Sequence, residues 1–208
     1  MIKFVYFDVG GVVIKDFTKT DKFNELKKAM GLSPETEPIF MEEWAQHRGQ
    51  ICIDYDVDNF LPFIKQSLHI NLPDTYSLLQ NFVDRFEKND PIWPILSDIK
   101  KIAKTGLLTN MYPRMLSTIQ KKGIFPPSDW DVVIDSSVVG YQKPDKRFFE
   151  IAEERAEVKH DEILFIDNQE KHVDAAHQFG WQIFYYDSGD YKKSNNDLRK
   201  LLDHIGLR

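Results

Sequence analysis

An apolar run is followed by a carboxylate and then by two glycines in the stretch Lys3-Phe4-Val5-Tyr6-Phe7-Asp8-Val9-Gly10-Gly11-Val12-Val13. Residues 3–7 are apolar at nearly every position, which is typical of a parallel strand that helices cover on both faces. The residue that follows such a strand lies at the carboxyl edge of the sheet, where open α/β sheets bind their ligands. Asp8 is that residue, so the sequence predicts a carboxylate at a ligand-binding edge.

Two further apolar runs deliver polar side chains to the same edge. Thr109 follows Gly106-Leu107-Leu108, and Asp167 follows Ile163-Leu164-Phe165-Ile166. Lys143 lies in Gly140-Tyr141-Gln142-Lys143-Pro144-Asp145, which we interpret as a loop ahead of a helix. Because the carboxyl ends of parallel strands meet at one edge, we expect these groups to form one site.

The composition indicates a soluble globular protein. Hydrophobic residues make up 42% of the 208 residues and charged residues 29%, which is not typical of a disordered or a membrane protein. The net charge of −6 and the lack of a long Lys or Arg run argue against nucleic acid as the main partner. Cys52 is the only cysteine, so neither a disulfide framework nor a thiolate metal site is expected.

The amino-terminal residues enter the first predicted strand directly. Met1-Ile2-Lys3-Phe4 shows no basic start followed by a cleavable apolar segment. We therefore expect a cytoplasmic protein without a membrane partner. The sequence leaves the oligomeric state open.

Helical periodicity dominates the residues between the first strand and Asp90. Phe23, Leu26 and Met30, for example, recur at the spacing of one helix face. The predicted helices cover residues 18–30, 35–47, 57–68 and 74–86. Because this block interrupts a strand pattern that resumes later, we interpret residues 15–90 as an inserted helical cap.

Strands and helices alternate after Pro91, and this alternation predicts a parallel sheet with right-handed crossovers. The predicted fold class is α/β, a Rossmann-like doubly wound parallel sheet formed by residues 1–14 and 91–208, with the all-helical cap inserted. The predicted helices cover residues 91–103, 112–122, 145–154, 169–179 and 197–205, and the predicted strands cover residues 106–108, 131–134, 163–166 and 181–186. Residues 187–196 are predicted to form a polar loop.

Asp8 alone has a plain explanation, since an Asp after a strand is commonly a turn former or a helix cap. Gly10 and Gly11 change that interpretation. Two glycines allow a tight turn, bring backbone N–H groups close to an anion and leave the Gly10 carbonyl free to face a cation. The Asp8 carboxylate could then attack phosphorus or carbon, or hold Mg²⁺ through its other oxygen.

Asp167 is the natural second ligand of such an ion, because Mg²⁺ is usually held by one or two carboxylates together with waters and a substrate phosphate. Asp167 could instead cap the helix predicted to begin at Gln169. Asn168 could fill that cap equally well, which would leave Asp167 free.

Three more residues have both an ordinary and a functional explanation. Thr109 and Asn110 could simply end a strand and cap a helix, yet a hydroxyl and a backbone N–H at a helix start also suit a phosphate oxygen. Lys143 could be an exposed lysine ahead of a helix. As a fixed cation it would instead reduce the repulsion between an anionic nucleophile and a phosphoryl group.

Taken in order, these motifs resemble those of the haloacid dehalogenase-like hydrolase superfamily, and the resemblance covers essentially the whole chain. The four motifs are Asp8-Val9-Gly10-Gly11-Val12-Val13, Leu107-Leu108-Thr109-Asn110, Ser136 to Lys143 with Pro144-Asp145 behind it, and Phe165-Ile166-Asp167-Asn168. Residues 15–90 are similar to the cap that subfamily I members insert after the first strand. The third motif most resembles the branch that includes the phosphatase domain of epoxide hydrolases and small sugar-phosphate phosphatases.

The resemblance implies a role for each residue. Asp8 would form an aspartyl-phosphate, with Thr109 and Lys143 as the other catalytic residues. The residues expected to bind substrate are Gly10, Gly11, Thr109, Asn110 and Lys143. The Mg²⁺ ligands would be Asp8, the Gly10 carbonyl and Asp167, with Asn168 in the layer behind.

Two positions depart from the family pattern. Most phosphatases of the family carry a second Asp two residues after the nucleophile as general acid and base, and Gly10 stands there. Asn168 stands where an Asp is common, which makes the surroundings of the metal less acidic. General acid and base assistance is commonly worth ~10²–10⁴ in rate, so its loss would leave a slow enzyme, one with an acid from the cap or a water, or one without turnover.

The leading prediction is therefore that the protein is an Mg²⁺-dependent phosphatase that acts on a small phosphorylated metabolite, for example a sugar phosphate. The first alternative is a 2-haloacid dehalogenase, in which an Asp attacks carbon and neither a second Asp nor a metal is needed. Against it, unpaired carboxylates at Asp8 and Asp167 would repel each other, and the linker offers Lys15 and Asp16 where that branch typically carries an Arg. The second alternative is a non-catalytic protein that binds phosphate or a protein partner.

The residues that would contact the substrate from the cap are less well defined. A helix near residues 42–48 commonly overhangs such a site in the family. The candidates there are Glu43, Trp44, His47 and Arg48.

Overall fold

Five parallel strands form the central sheet in a computed structural model, which describes residues 1–206. Their bounds are β1 Phe4–Phe7, β4 Lys104–Thr109, β5 Val132–Asp135, β6 Ile163–Asp167 and β7 Gln182–Tyr185. A separate two-stranded ribbon consists of β2 Ile14–Lys15 and β3 Glu87–Lys88. In the sheet the strand order is β5-β4-β1-β6-β7, so β1 is the middle strand.

Helices follow the strands in the order that the sequence predicts. Their bounds are α1 Lys22–Ala29, α2 Glu37–Gln46, α3 Leu61–Gln66, α4 Leu78–Asp84, α5 Trp93–Ile99, α6 Met115–Lys122, α7 Ser136–Val139, α8 Lys146–Ala156, α9 Glu170–Phe179 and α10 Tyr191–His204. Short 3₁₀ turns cover Val57–Phe60, Asp90–Ile92 and His160–Glu162. This arrangement confirms the predicted α/β class with a Rossmann-like parallel sheet. None of the helices described for residues 1–206 is long and apolar enough to cross a bilayer.

The side chains of β1 alternate between two apolar cores, one on each face of the sheet. Val5 and Phe7 pack in the core that α5, α6 and α10 cover together with the inserted helices. Phe4 and Tyr6 pack in the core that α8 and α9 cover. All four side chains are completely buried. Because helices cover both faces, the strand is apolar at successive positions instead of alternating with polar ones.

The ribbon marks where the helical insertion leaves and rejoins the sheet. β2 and β3 are antiparallel, with Ile14 opposite Lys88 and Lys15 opposite Glu87. Helices α1 to α4 lie between these strands in the chain, and their apolar residues share the core of Phe7. The division into core and cap at residues 15 and 90 stays a prediction, and the ribbon lies beside both positions.

Several boundaries differ from the prediction. The last helix begins at Tyr191 and not at residue 197, because the Asp190 side chain accepts a hydrogen bond from the Lys193 N–H at 2.9 Å and caps a helix in the predicted loop. The helix predicted over residues 57–68 is a 3₁₀ turn followed by α3, whose first turn contains Pro62, which has no N–H to donate.

Other differences arise at short elements. The ribbon and α7 were not predicted, since segments of two and four residues are too short to show a period. Helices α4 and α6 begin at Leu78 and Met115, later than the predicted starts at residues 74 and 112. Ser77 caps α4 by accepting the Gln80 N–H at 3.0 Å.

Candidate active site

The carboxyl ends of β4, β1 and β6 bring three of the predicted site residues to one edge. β1 pairs in parallel with β4 on one side and with β6 on the other. Asp8 follows β1, while Thr109 and Asp167 are the last residues of β4 and β6. Neighbouring parallel strands in register place these three residues side by side.

Lys143 joins the two carboxylates. Its Nζ lies 3.0 Å from Oδ1 of Asp8 and 2.6 Å from Oδ2 of Asp167, and it donates to the Leu108 carbonyl at 2.8 Å. The side chains of Lys143 and Asp167 are fully buried. Lys143 is therefore not an exposed lysine ahead of a helix, but a cation held between two anions.

Burial and charge act in opposite directions on these groups. Burial, together with the nearby Asp167 carboxylate, raises the pKa of Asp8 to about 7 against the attraction of Lys143. Burial would also raise the pKa of Asp167, but Lys143 and His172 outweigh it and hold that pKa below its usual value. Burial opposes the charge on Lys143, yet the two carboxylates together raise its pKa. The lysine therefore stays charged, and Asp167 is the more firmly ionised of the two carboxylates.

Asp8 has one oxygen held in place and one oxygen free. Oδ1 accepts the Val9 N–H at 2.8 Å and faces Lys143. Oδ2 accepts no hydrogen bond from residues 1–206, and Asp8 lines a cavity of about 420 Å³. A fixed carboxylate with one free oxygen at a cavity has the arrangement that a nucleophile needs.

The hydroxyl of Thr109 is completely buried and has no hydrogen-bond partner in the described part of the chain. A buried polar group without a partner loses its hydration without compensation. Thr109 ends the strand next to Asp8, so this hydroxyl is available to a ligand there, and its predicted contact with a phosphate oxygen stays a prediction.

The position of Asn110 and the contacts of its side chain differ from the prediction. Its side-chain amide donates to the Lys143 carbonyl at 2.9 Å and accepts the Lys143 N–H at 2.8 Å. Because α6 begins only at Met115, Asn110 does not lie at a helix start. The Asn110 side chain therefore clamps the loop that carries Lys143, and only its backbone is left for the predicted contact with substrate.

Gly10 and Gly11 are glycines for different reasons. Gly11 has a φ of +77°, and a Cβ at this position would lie 1.9 Å from Nδ2 of Asn168. Gly10 has no such backbone requirement, but its Cβ would lie 2.6 Å from Oδ2 of Asp16. The Gly10 carbonyl accepts no hydrogen bond from residues 1–206, so it is free to face a cation.

Asp167 interacts with the helix that follows it, so of the two residues that the sequence offered for this role it is Asp167 that takes it. Oδ1 of Asp167 accepts the Gln169 N–H at 2.7 Å. His172, in the first turn of α9, places Nδ1 at 3.2 Å from Oδ2 of Asp167. The sequence analysis missed His172, although its position five residues after Asp167 on a predicted helix was a usable signal.

The oxygen donors at this edge fit Mg²⁺. Among residues 1–206 there is no cluster of three or more His, Cys, Asp or Glu side chains that could enclose a metal. The Gly10 carbonyl is uncommitted, Asp8 supplies one carboxylate, and Asp167 supplies a second carboxylate although Lys143 already donates to it. Two carboxylates and a carbonyl are the hard oxygen ligands with which Mg²⁺ keeps several waters.

Aromatic side chains form much of the wall of the cavity. These are Phe17, Phe23, Trp44, Phe82, Phe86 and Tyr112. Of the four predicted cap residues only Trp44 lines the cavity, while the His47 ring stacks on Tyr55 with centroids 3.9 Å apart. Asp16 and His172 also line the cavity, and burial raises the pKa of the Asp16 carboxyl. Asp16 was noticed in the sequence only as a linker residue.

A family model described as a haloacid dehalogenase-like hydrolase matches residues 2–180, which include all four motifs. The chain belongs to this family. The resemblance found in the motifs is thereby confirmed. As a haloacid dehalogenase-like hydrolase, the chain is an enzyme of the hydrolase class.

Curated relatives cover part of this haloacid dehalogenase-like hydrolase. The chain is similar to a GMP/IMP nucleotidase, YrfG, of Escherichia coli K12, with 32% identity over 124 residues. The match covers 54% of this chain and 55% of the relative. The protein of the same name from Shigella flexneri matches to the same extent. The chain thus spans about half the length of the curated relatives it matches.

Solved structures share the fold of this haloacid dehalogenase-like hydrolase over most of its length. A HAD-family enzyme of Bacteroides thetaiotaomicron, BT-2542, in complex with magnesium and inorganic phosphate, has a TM-score of 0.70 and 18% identity, covering 91% of this chain and 96% of that chain. The L-2-haloacid dehalogenase of Xanthobacter autotrophicus, with chloropropionic acid covalently bound, has a TM-score of 0.61 and 19% identity, covering 88% and 76%. At these identities the likeness concerns the fold alone.

Proposed function

We propose that this hydrolase is an Mg²⁺-dependent phosphomonoesterase that forms an aspartyl-phosphate on Asp8. The observation that carries the proposal is the free Oδ2 of Asp8 at the cavity, beside an unpartnered Thr109 hydroxyl and a buried Lys143. Asp8 and Lys143 supply a nucleophile and a fixed cation at the cavity, and Thr109 ends the strand next to Asp8, an arrangement that suits a transferred phosphoryl group. The nucleotidase relative and the neighbour that holds magnesium and phosphate support the same class of reaction.

The reaction proceeds in two steps. In the first, Oδ2 of Asp8 bonds to phosphorus and the ester P–O bond breaks, so the leaving oxygen departs with the electron pair and takes up a proton. In the second, a water loses a proton and bonds to phosphorus, the bond to Asp8 breaks, and inorganic phosphate leaves. Thr109 and the Lys143 cation interact with the phosphoryl oxygens in both steps.

Mg²⁺ would be held by Asp8, the Gly10 carbonyl and Asp167, with Asn168 in the layer behind. When bound, the ion would neutralise part of the charge on the phosphoryl group. Lys143 holds Asp8 and Asp167 in one fixed arrangement within the protein itself. Asn110 in turn fixes the backbone of Lys143, so the cation keeps its position through the cycle.

The aromatic wall bears on the class of substrate. A cavity of about 420 Å³ is within the range for a small-molecule site, and its aromatic wall includes the rings of Trp44 and Phe82. Such a wall suits a leaving group that carries a planar base better than one that is only a sugar, because aromatic side chains stack on planar aromatic rings. We therefore propose a nucleoside monophosphate ahead of the sugar phosphate first considered, in agreement with the name of the curated relative.

Dehalogenation remains the second candidate, and one observation favours it. The argument against it assumed that carboxylates at Asp8 and Asp167 would be unpaired without a metal. Lys143 pairs with both, so the electrostatic need for a metal in the free protein is smaller than the sequence suggested.

One experiment separates the candidates. Phosphate release is measured on a panel of phosphomonoesters with Mg²⁺ and with a chelator, and chloride release is measured on 2-chloropropionate. We expect hydrolysis of nucleoside monophosphates that the chelator abolishes. Asp8→Asn is the matched control, because an amide of nearly the same shape is a poor nucleophile. Chloride release without Mg²⁺, or phosphate release that survives in Asp8→Asn, would contradict the proposal.

A further inference from the structure

The space beside Gly10 contains a carboxylate from another part of the chain. Gly10 is the position at which most phosphatases of the family carry their general acid and base. A Cβ built on Gly10 would lie 2.6 Å from Oδ2 and 3.4 Å from Cγ of Asp16. The Asp16 carboxyl group therefore occupies the volume that a side chain at position 10 would need.

Asp16 is held firmly in this place. It follows β2 in the linker from the sheet to the inserted helices. Its Oδ1 accepts the Thr18 N–H at 2.9 Å, and its Oδ2 accepts the Thr18 hydroxyl at 3.1 Å. An Asp that bonds to the residue two positions ahead is commonly just a turn former. Here the carboxyl also lines the cavity together with Asp8, which a turn does not require.

We infer that Asp16 replaces the side chain missing at Gly10 and serves as the general acid and base of the reaction. This inference rests on the proposed phosphomonoesterase function. When Asp8 displaces the ester oxygen, the Asp16 carboxyl donates its proton to that oxygen, which leaves as an alcohol. The Asp16 carboxylate then takes a proton from the water that attacks the aspartyl-phosphate, and both residues return to their starting state.

The test compares leaving groups in one variant. An alkoxide needs its proton in the transition state, whereas a nitrophenolate hardly does. In Asp16→Asn we expect kcat/KM on a nucleoside monophosphate to fall ~10²–10⁴-fold and on p-nitrophenyl phosphate to fall less than about tenfold. Because the attacking water lacks its base, phosphorylated protein should accumulate with the nitrophenyl ester and be visible by intact mass spectrometry.

A second, independent test moves the carboxyl group from position 16 to position 10. Gly10→Asp combined with Asp16→Ala moves the acid to the usual family position and removes the clash. This double variant should hydrolyse the nucleoside monophosphate faster than Asp16→Ala alone. Gly10→Asp in the presence of Asp16 should be impaired, because two carboxyl groups then compete for one volume. If the double variant does not fold, the leaving-group comparison in Asp16→Asn decides.

Controls separate this inference from its alternatives. Asp21→Asn changes an exposed linker Asp and should leave both rates unchanged. Equal losses on both substrates in Asp16→Asn, no loss on either, or a weakened affinity for Mg²⁺ measured by calorimetry would overturn the role of Asp16. Wild-type protein that hydrolyses no phosphomonoester would instead overturn the proposed function, and the inference with it.

Discussion

At the scale of single residues, the site depends on one buried cation shared by two carboxylates. The Lys143 Nζ lies 3.0 Å from Asp8 and 2.6 Å from Asp167, and its side chain is fully buried. A buried ion pair depends on its geometry and its hydrogen bonds. Removal of one partner destabilises the fold, because the other partner is left as an unpaired buried charge. The residue that positions the nucleophile is therefore also the one on which local stability depends.

Replacing Lys143 should affect activity and stability together. In Lys143→Met two carboxylates lose their shared cation, so we expect the free energy of unfolding to fall by about 3–5 kcal/mol. The rate should fall by something like ~10²–10³, as for a lost electrostatic donor. Urea unfolding without Mg²⁺ and steady-state kinetics measure the two effects. Lys146→Met is the control, because its side chain is 76% exposed. An unchanged rate in Lys143→Met would refute the role of this cation.

Thr109 should affect ligand binding but not folding. In Thr109→Val the unpartnered hydroxyl becomes a methyl group of the same shape, so stability should be unchanged or slightly higher. Inhibition by inorganic phosphate should weaken about 10- to 100-fold, the equivalent of one hydrogen bond to a charged ligand. Thr109→Ser keeps the hydroxyl and should retain most of the affinity. Equal inhibition constants in the Val and Ser variants would exclude a contact between Thr109 and phosphate.

At the scale of elements, Arg114 fastens the start of α6 to the inserted helices. It precedes α6 with a φ of +67°, a left-handed conformation that is uncommon for a residue with a side chain. From there its guanidinium bonds to Asp56 at 2.5 and 2.7 Å and to Asp58 at 2.8 Å. The strained backbone aims the side chain at the carboxylates that precede α3.

Two substitutions separate the ion pairs of Arg114 from its backbone strain. Both Arg114→Ala and Arg114→Gly lose the ion pairs, which are half exposed and worth up to about 1 kcal/mol. Only glycine adopts the left-handed backbone without a penalty, so the Gly variant should be more stable than the Ala variant by about 1 kcal/mol. Thermal unfolding at low and high salt measures both effects. Equal stability of the two variants would show that the backbone at Arg114 stores no strain.

At the scale of the whole molecule, the cavity lies between the sheet edge and the insertion, so a ligand there touches both. Charged groups come from Asp8 after β1, Asp16 after β2, the Lys143 loop and Lys171 in α9, while the rings come mainly from the insertion and its linkers. Lys122, at the end of α6, also joins the sheet domain to the insertion, since its Nζ donates to the carbonyls of Val83, Asp84 and Phe86 at the end of α4. Ligand binding should therefore stabilise the molecule as a unit.

Mg²⁺ and phosphate together should raise the melting temperature. A ligand at 100 times its dissociation constant adds about 2.7 kcal/mol, which corresponds to about 5–10 °C for a chain of this size. The shift should be lost with a chelator and reduced in Asp167→Asn, which keeps the fold but weakens the metal site. Differential scanning fluorimetry measures it. A full shift from phosphate in the presence of chelator would argue against a shared metal and phosphate site.

Much of the fold and part of the site can be predicted from the sequence because both follow from local periodicity. Continuous apolar runs identify the strands, and the parallel arrangement places the residue at the end of each strand at one edge. Asp8, Thr109 and Asp167 could be found in this way. The last helix was predicted too short because its first half is polar, and its cap at Asp190 carries no hydrophobic period.

Contacts between loops and between distant elements could not be predicted, because no period encodes them. Asn110 clamps Lys143 across 33 positions, and His172 reaches Asp167 only because α9 begins directly after β6. The absence of the usual carboxyl group at Gly10 can be read from the chain directly. That the Asp16 carboxyl lies in the same space emerges only from the folded protein, because no local period states which residues six positions apart come into contact.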